Sequence, residues 1–286
     1  MKTNAIVRIV LFSIAVVVLL GILATGLLFG LYSYDISSFV GSKIADGTTV
    51  SGSASFDPDQ IKDLEIDWAA GSITIQHSNT DEIRIMESEV SNDKYQMVYK
   101  QSGDKLVIQY CKDSISWSGI NFGSDFRKDL VITVPQNWTC NSLEIDAASA
   151  SVEASGLTID EVDFDGASGK CIFSNCDVKK FDVDTASGDI EFSGTLDVLD
   201  CDAASASCYL EVTNVPNHID LDGVSGDLDI TLPTDCGFSV NMDTLSGNFS
   251  SDFTTSISGG NYTYGDGSCR INVNGVSGDV IIRKSQ

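Results

Sequence analysis

The chain has 286 residues, of which 42% are hydrophobic and four are prolines, a composition that excludes a disordered polypeptide and leaves room for one substantial domain plus an attachment. Its formal net charge is −24, from 41 acidic and 17 basic residues. Such a surface repels phosphates, which excludes nucleic acid and anionic headgroups as partners of the folded part and makes cations, or a cationic partner, its counterparts.

Residues 1–8 carry Lys2 and Arg8, and 9–31 form an uncharged, mostly apolar run followed by Tyr32 and Tyr34. At about 1.5 Å per residue that run spans a hydrocarbon core of about 30 Å. The pattern predicts a single transmembrane signal anchor with a cytoplasmic N-terminus, so the membrane is a partner through this helix. A cleaved signal peptide is the alternative, but its apolar region is usually shorter, and Ala24-Thr-Gly26 lies inside the run. Residues 32–55 are rich in Ser, Gly and Thr and read as a linker. Residues 56–286 are then expected outside the membrane.

The first strand pair is Leu64-Glu-Ile66 and Ile73-Thr-Ile75. Residues 77–128 alternate differently, through Ile83-Arg-Ile-Met86, Tyr95-Gln-Met-Val-Tyr99 and Leu106-Val-Ile-Gln-Tyr110, the last two joined through Gln101-Ser-Gly-Asp104 like a hairpin. This predicts an antiparallel excursion that caps the open edge of the first coil. Trp117, Ile120, Phe122 and Phe126 cluster within it; Trp117 and Phe122 are candidate partner contacts, against the plainer reading of a loop folded over the core's end. Leu130-Val-Ile-Thr-Val-Pro135 is echoed by Leu228-Asp-Ile-Thr-Leu-Pro233, as if two halves shared a larger unit.

From Asp146 the chain repeats. Units start at Asp146, Asp165, Asp184, Asp202, Asp222, Asp243 and Asn274, at spacings of 19, 19, 18, 20, 21 and 31, and a lone earlier copy starts at Asp67. With that leading residue as position 0, positions −3 and −1 are apolar in every copy, and +6 and +8 nearly so. Spacing of two within each pair is strand periodicity. Small residues and Gly between the pairs, as in Ser187-Gly-Asp-Ile190, allow a tight corner. The fold expected is therefore all-β: a parallel β-solenoid, or β-helix, of about 19-residue repeats stacked about 4.8 Å apart. No single coil can bury its own columns, so the stack is the stable unit. The polar insertion Ser251–Ser268 is expected on the flank, where Tyr262 and Tyr264 are candidate partner contacts, and Arg283 and Lys284 are expected to blunt the last edge.

The sharpest polar feature is acidic. Position 0 reads Asp146, Asp165, Asp184, Asp202, Asp222 and Asp243, and position −2 reads Glu65, Glu144, Asp163, Asp182, Asp200 and Asp220, then Asn241 and Asn272. Carboxylates stacked one coil apart repel by about 0.9 kcal/mol in bulk water, and by several times that at a protein-like dielectric. Calcium held by the ladder would offset this, which makes it the candidate cofactor. So would capping, in which each aspartate accepts free N–H groups of the corner. Asn274 keeps the acceptor and loses the charge, which favours capping at position 0, and no metal is assigned.

Eight cysteines suggest disulfides outside the cell, yet Cys171 and Cys208 share an inward column two coils, or about 9.6 Å, apart, beyond bridging distance. With Cys201 in an apolar slot they read as buried thiols, and pairing of the others stays open. No catalytic residue is assigned: the histidines are His77 and His218, no H-E-x-x-H or G-x-S-x-G occurs, and no small-molecule substrate is evident. From Asp146 onward the bases are Lys170, Lys179, Lys180, Arg270, Arg283 and Lys284, none visibly set beside an acidic cluster in a cleft.

The corner Ser-Gly-Asp-[Ile/Leu/Val] at 187–190, 225–228 and 277–280, the strand-Pro units ending at Pro135 and Pro233, and the single N-terminal membrane segment together resemble a bacterial family of β-strand-repeat candidate adhesins whose domain function is unassigned. Relatives occur in envelope-stress operons of Gram-positive bacteria. The resemblance covers about Leu64 to Arg283 and implies a membrane-anchored, non-enzymatic envelope protein presenting an acidic face to a wall or protein partner. The alternative is a calcium-dependent, polysaccharide-active β-helix enzyme.

Overall fold

The computed structural model of the protein describes residues 44, 48–49, 53–88, 95–111 and 127–286. The expected anchor at 9–31, most of the linker, and the loop with Trp117, Ile120, Phe122 and Phe126 lie outside the described residues. Among the described residues no helix is long and apolar enough to cross a membrane. In chain order the strands are β1 (Thr48–Thr49), β2 (Ser53–Phe56), β3 (Asp63–Ser78), β4 (Ile83–Glu87), β5 (Val98–Ser102), β6 (Lys105–Gln109) and β7 (Lys128–Pro135). Then come β8 (Thr139–Ser155), β9 (Thr158–Gly166), β10 (Cys171–Ser187), β11 (Ile190–Ser205), β12 (Cys208–Val212), β13 (His218–Ser225) and β14 (Leu228–Leu232). The C-terminal part holds β15 (Phe238–Ser246), β16 (Phe249–Ser251), β17 (Ser256–Ser258), β18 (Asn261–Tyr264), β19 (Cys269–Ser277) and β20 (Val280–Lys284).

Each coil has two arms, and like arms stack in register into two parallel ladders. In the first, the −3 column runs Leu143, Val162, Phe181, Leu199, Ile219, Ile271 as successive Cα partners. In the second, Val152, Cys171, Ile190, Cys208, Leu228 and Val280 succeed one another at +6. Both sets are buried and share one core, where full burial of a Leu, Ile or Phe side chain is worth about 1.5–3 kcal/mol. Two kinds of corner join the arms. At Ser187-Gly188 the glycine has φ 125°, and a Cβ there would lie 1.9 Å from the carbonyl oxygen of Gly169 one coil below, so the close stacking of corners demands glycine. At this +4 place Gly71, Gly169 and Gly188 take a positive φ, whereas Ala150 and Ala206, and also Gly226, Gly247 and Gly278 of the later Ser-Gly corners, do not, so the corner exists in two conformations. The opposite corner turns through left-handed residues at +10: Gly156, Asn175 and Gly194.

The order of coils in space differs from their order in sequence at both ends. β6 and β7 form a coil outside β3: β6 pairs in parallel with Asp63–Asp67 and β7 with Gly71–Ser78. The segment 77–128 therefore contributes part of the stack as well as an antiparallel cover, the latter made by β5 on β6 and β4 on β7. The hairpin expected at Gln101–Asp104 is the β5–β6 turn. At the far end β19 lies between β13 and β15, and β20 between β14 and β16. Arg283 and Lys284 are accordingly paired to Thr231 and Leu232 inside the stack, and they do not blunt its last edge. That edge is covered by β18, antiparallel to β15, with β17 beyond it. The two strand-Pro echoes mark the two places where the chain skips a coil: after Pro135 it passes over β3 to β8, and after Pro233 it passes over the place of β19 to β15.

Candidate functional site

Because −1 and −3 point into the core, positions 0 and −2 of the first ladder point out of it. Followed coil by coil in space from β6 to β15, position 0 reads Gln109, Asp67, Asp146, Asp165, Asp184, Asp202, Asp222, Asn274, Asp243. Position −2 reads Val107, Glu65, Glu144, Asp163, Asp182, Asp200, Asp220, Asn272, Asn241. Two columns of carboxylates thus run side by side over six consecutive coils, about 24 Å at the spacing of parallel strands. Uncharged Gln109 and Val107 close one end, and Asn274 and Asn272 close the other. Asp67, buried, joins the ladder at its first end, and Asp243 is separated from it. Asn274 stands between the last two aspartates and donates its amide to Asp222 at 2.7 Å.

Cations neutralise the array at two points. Lys105 bridges Glu65 (2.6 Å) and Glu144 (3.1 Å), and Lys180 pairs with Asp182 and with Glu161 at 3.4 Å. Among the described residues no basic side chain pairs with Asp163, Asp165, Asp184 or Asp202. Partial burial, and then the charges of Asp146, Asp163 and Asp184, push the Asp165 carboxyl up to about 6. The Asp163 carboxyl is raised by burial and then Asp182, and that of Asp202 by burial and then Asp184. Repulsion is therefore least relieved along the position-0 column from Asp165 to Asp202, where the lysine pairings do not reach.

At four places position 0 does not cap the corner. Among the described residues no backbone N–H donates to the carboxylates of Asp165, Asp184, Asp202 or Asp243. The caps are at +5, inside the corner motif itself. There Lys170 N donates to Ser151 Oγ (3.4 Å), Asp227 N to Ser207 Oγ (3.4 Å), Asp279 N to Asp227 Oδ1 (2.8 Å) and Asn248 N to Asp279 Oδ1 (2.8 Å). These side chains lie at the corner, within reach of the next coil's N–H, whereas the position-0 carboxylate sits out on the strand face opposite another carboxylate. The Asp of Ser-Gly-Asp was the signal in the sequence.

The other candidate residues lie elsewhere. Tyr262 stacks on Phe249 with ring centroids 4.0 Å apart, and Tyr264 packs on Phe253 at 4.7 Å and Phe238 at 5.7 Å. Both build the end cap and are only partly exposed, because the insertion that carries them folds back as β17 and β18. The second ladder's outer face has a groove of about 290 Å³ beside Tyr209, lined among others by Glu191, Glu211 and Asp229. Lys170 pairs with Glu191, and Arg283 makes a two-pronged contact with Asp229 at 2.7 Å, so its charge is largely balanced. Lys170, Lys179, Lys180 and Arg283 all carry carboxylate partners whose hydrogen bonds raise their pKa, the reverse of what a general base requires. All eight cysteines are buried, and burial pushes the Cys140 and Cys269 thiols up to about 12.

Solved structures of several bacterial proteins resemble this one at low identity. A candidate cell adhesion protein of Clostridium sporogenes is 14% identical, with 83% of this chain aligned to 100% of that chain at a TM-score of 0.37. A candidate adhesin of Bacteroides fragilis is 16% identical, with coverages of 82% and 96% and a TM-score of 0.46. Another, of Parabacteroides distasonis, is 12% identical, with coverages of 84% and 98% and a TM-score of 0.35. No curated protein matches the chain. The model of one family matches it twice, over residues 61–197 and 136–283, in keeping with two halves that each contain a skipped coil. The chain belongs to the Toastrack DUF4097 family.

Proposed function

We propose that the protein is a non-enzymatic, adhesin-like component of a bacterial cell envelope. In this reading 9–31 anchors it in the membrane, the β-solenoid stands outside, and the acidic face of the first ladder docks a cationic partner, either a wall polymer or a basic protein segment. The observation that carries it is the paired column of carboxylates, bounded by amides and an apolar residue, in which, among the described residues, Asp163 and the position-0 aspartates Asp165, Asp184 and Asp202 have no basic partner. An extended polycation laid along the stack would meet negative charge at every coil, and its binding would weaken steeply with salt. The polysaccharide-lyase alternative is disfavoured because Lys170, Lys179 and Lys180 are tied to carboxylates that raise their pKa, where a catalytic base needs the opposite. The direct test is fluorescence anisotropy of labelled oligolysine with the full-length protein in detergent micelles, from low to physiological salt. Saturable binding that fades with salt supports the proposal, and absence of binding at low salt contradicts it.

A further inference from the structure

One place on the acidic face differs in chemistry from the rest. His218 opens β13 and stands at −4, two residues before Asp220, so both side chains emerge on the same outer face. Asp200 is the partner of Asp220 in the neighbouring strand β11. One donor atom from each of the three residues lies within 4.8 Å of the others, and His218 Nε2 is 3.3 Å from Asp220 Oδ2. Asp220 Oδ1 and His218 Nδ1 are both shielded from solvent, and neither has a hydrogen-bond partner. An orphaned buried polar atom costs about 1–3 kcal/mol, and a carboxylate oxygen without a donor is the kind of atom a cation satisfies.

We infer that Asp200, His218 and Asp220 form a binding site for one divalent transition-metal ion, with zinc the ion whose ligand preferences they match. Zinc takes imidazole nitrogen and carboxylate oxygen at about 2.0–2.2 Å, which in tetrahedral geometry places neighbouring donors roughly 3.3–3.6 Å apart. The His218–Asp220 separation already meets that, and a rotamer change of the partly exposed Asp200 brings in the third donor. A water, or the amide oxygen of Asn272 in the strand beside Asp220, completes the set. Calcium is a poor match, since it takes six to eight oxygen ligands and this trio offers a nitrogen. Arg270 is the partner of His218 in β19 and brings a positive charge close, but its side chain is exposed and can turn to solvent. The site shares Asp200 and Asp220 with the −2 column, but the inference does not rest on the polycation docking proposed above.

Equilibrium dialysis of the metal-free full-length protein against zinc chloride, in detergent micelles and with a hundredfold excess of calcium chloride, tests the inference. One zinc ion should be retained per chain. His218→Ala and Asp220→Asn should each weaken binding by at least about 100-fold, above the range seen for residues that only support a metal ligand. Asp165→Asn, equal in charge change to Asp220→Asn but outside the trio, should leave binding unchanged. Cobalt should give the visible spectrum of a tetrahedral site in the wild type and lose it in His218→Gln. Circular dichroism of each variant in metal-free buffer establishes that it is folded. Retention of zinc by folded His218→Ala, its displacement by calcium, or no retained zinc in the wild type would each overturn the site and leave only diffuse counterion binding.

Discussion

Lys128 is the side chain whose removal should cost the fold most for its size. It is 2% exposed, as is its partner Glu87, and its ammonium donates to Glu87 Oε2 (2.6 Å), to the carbonyl of Tyr110 (2.6 Å) and to that of Tyr95. The rings of Trp68 and Tyr110 lie 4.6 and 4.3 Å from Nζ, and Glu87 also accepts the Met97 N–H. Burial lowers the Lys128 pKa and the hydrogen bond to Glu87 raises it part-way back, but all three ammonium hydrogens are used, so the charged pair is the native state. It joins cap strand β4 to coil strand β7, and Trp68 Nε1 ties the β3 corner to the Lys128 carbonyl at 3.0 Å. Lys128→Met nearly conserves volume but strands a buried carboxylate, and breaking one partner of such a pair costs about 3–5 kcal/mol. Adding Glu87→Gln removes the stranded charge while keeping an acceptor for Met97, so the double variant should recover at least about 1.5 kcal/mol over Lys128→Met. Urea unfolding of the full-length proteins in micelles, followed by tryptophan fluorescence, measures both. A loss below about 1 kcal/mol for Lys128→Met, or strictly additive losses in the double variant, would refute the reasoning.

Gly188→Ala should destabilise by about 2–4 kcal/mol, because it combines a disfavoured backbone conformation with overlap onto the Gly169 carbonyl; a melting temperature unchanged from wild type would contradict the stacked corner. The raised carboxyls predict an unusual pH response. A group that holds its proton more tightly when folded stabilises the fold as pH falls through its folded pKa, so stability should rise from pH 7 towards pH 5 and level off near the unfolded value of about 4. Asp165→Asn should flatten that rise, stabilising at pH 7 by up to about 1 kcal/mol after allowance for solvent screening, and thermal melts against pH check both. All eight thiols should be silent to Ellman's reagent in the native protein and react on unfolding in urea; rapid native reaction of any would contradict their burial.

The coil itself was legible because its signal is local. Columns such as Phe181 and Val183, or Ile190 and Phe192, repeat at strand spacing, and the structure buries them in register. The order of coils was not legible, because any two coils with the same apolar columns can stack. Only the echo of Pro135 and Pro233 hinted that the chain skips there. That order decides the site: Asn274, last in sequence, stands between Asp222 and Asp243 and ends the carboxylate run. The place of Tyr262 and Tyr264 in the end cap was not legible because a polar, glycine-rich insertion reads alike whether it projects or folds back on an edge, and here antiparallel pairing to β15 turns it back. The second corner escaped notice because a single Gly or Asn at +10 makes the turn without a motif around it.

The central claim is that the ordered carboxylate array, rather than the overall charge of −24, recruits a cationic partner. It is tested most directly by removing the same charge from two faces: Asp165→Asn with Asp184→Asn on the array, against Glu153→Gln with Glu211→Gln on the second ladder's outer face, each titrated with labelled oligolysine. The array variant should bind about five-fold more weakly, corresponding to about 1 kcal/mol of lost attraction under water-like screening, with little change for the other. Equal weakening of both would show that net charge alone attracts the polycation and would contradict the account.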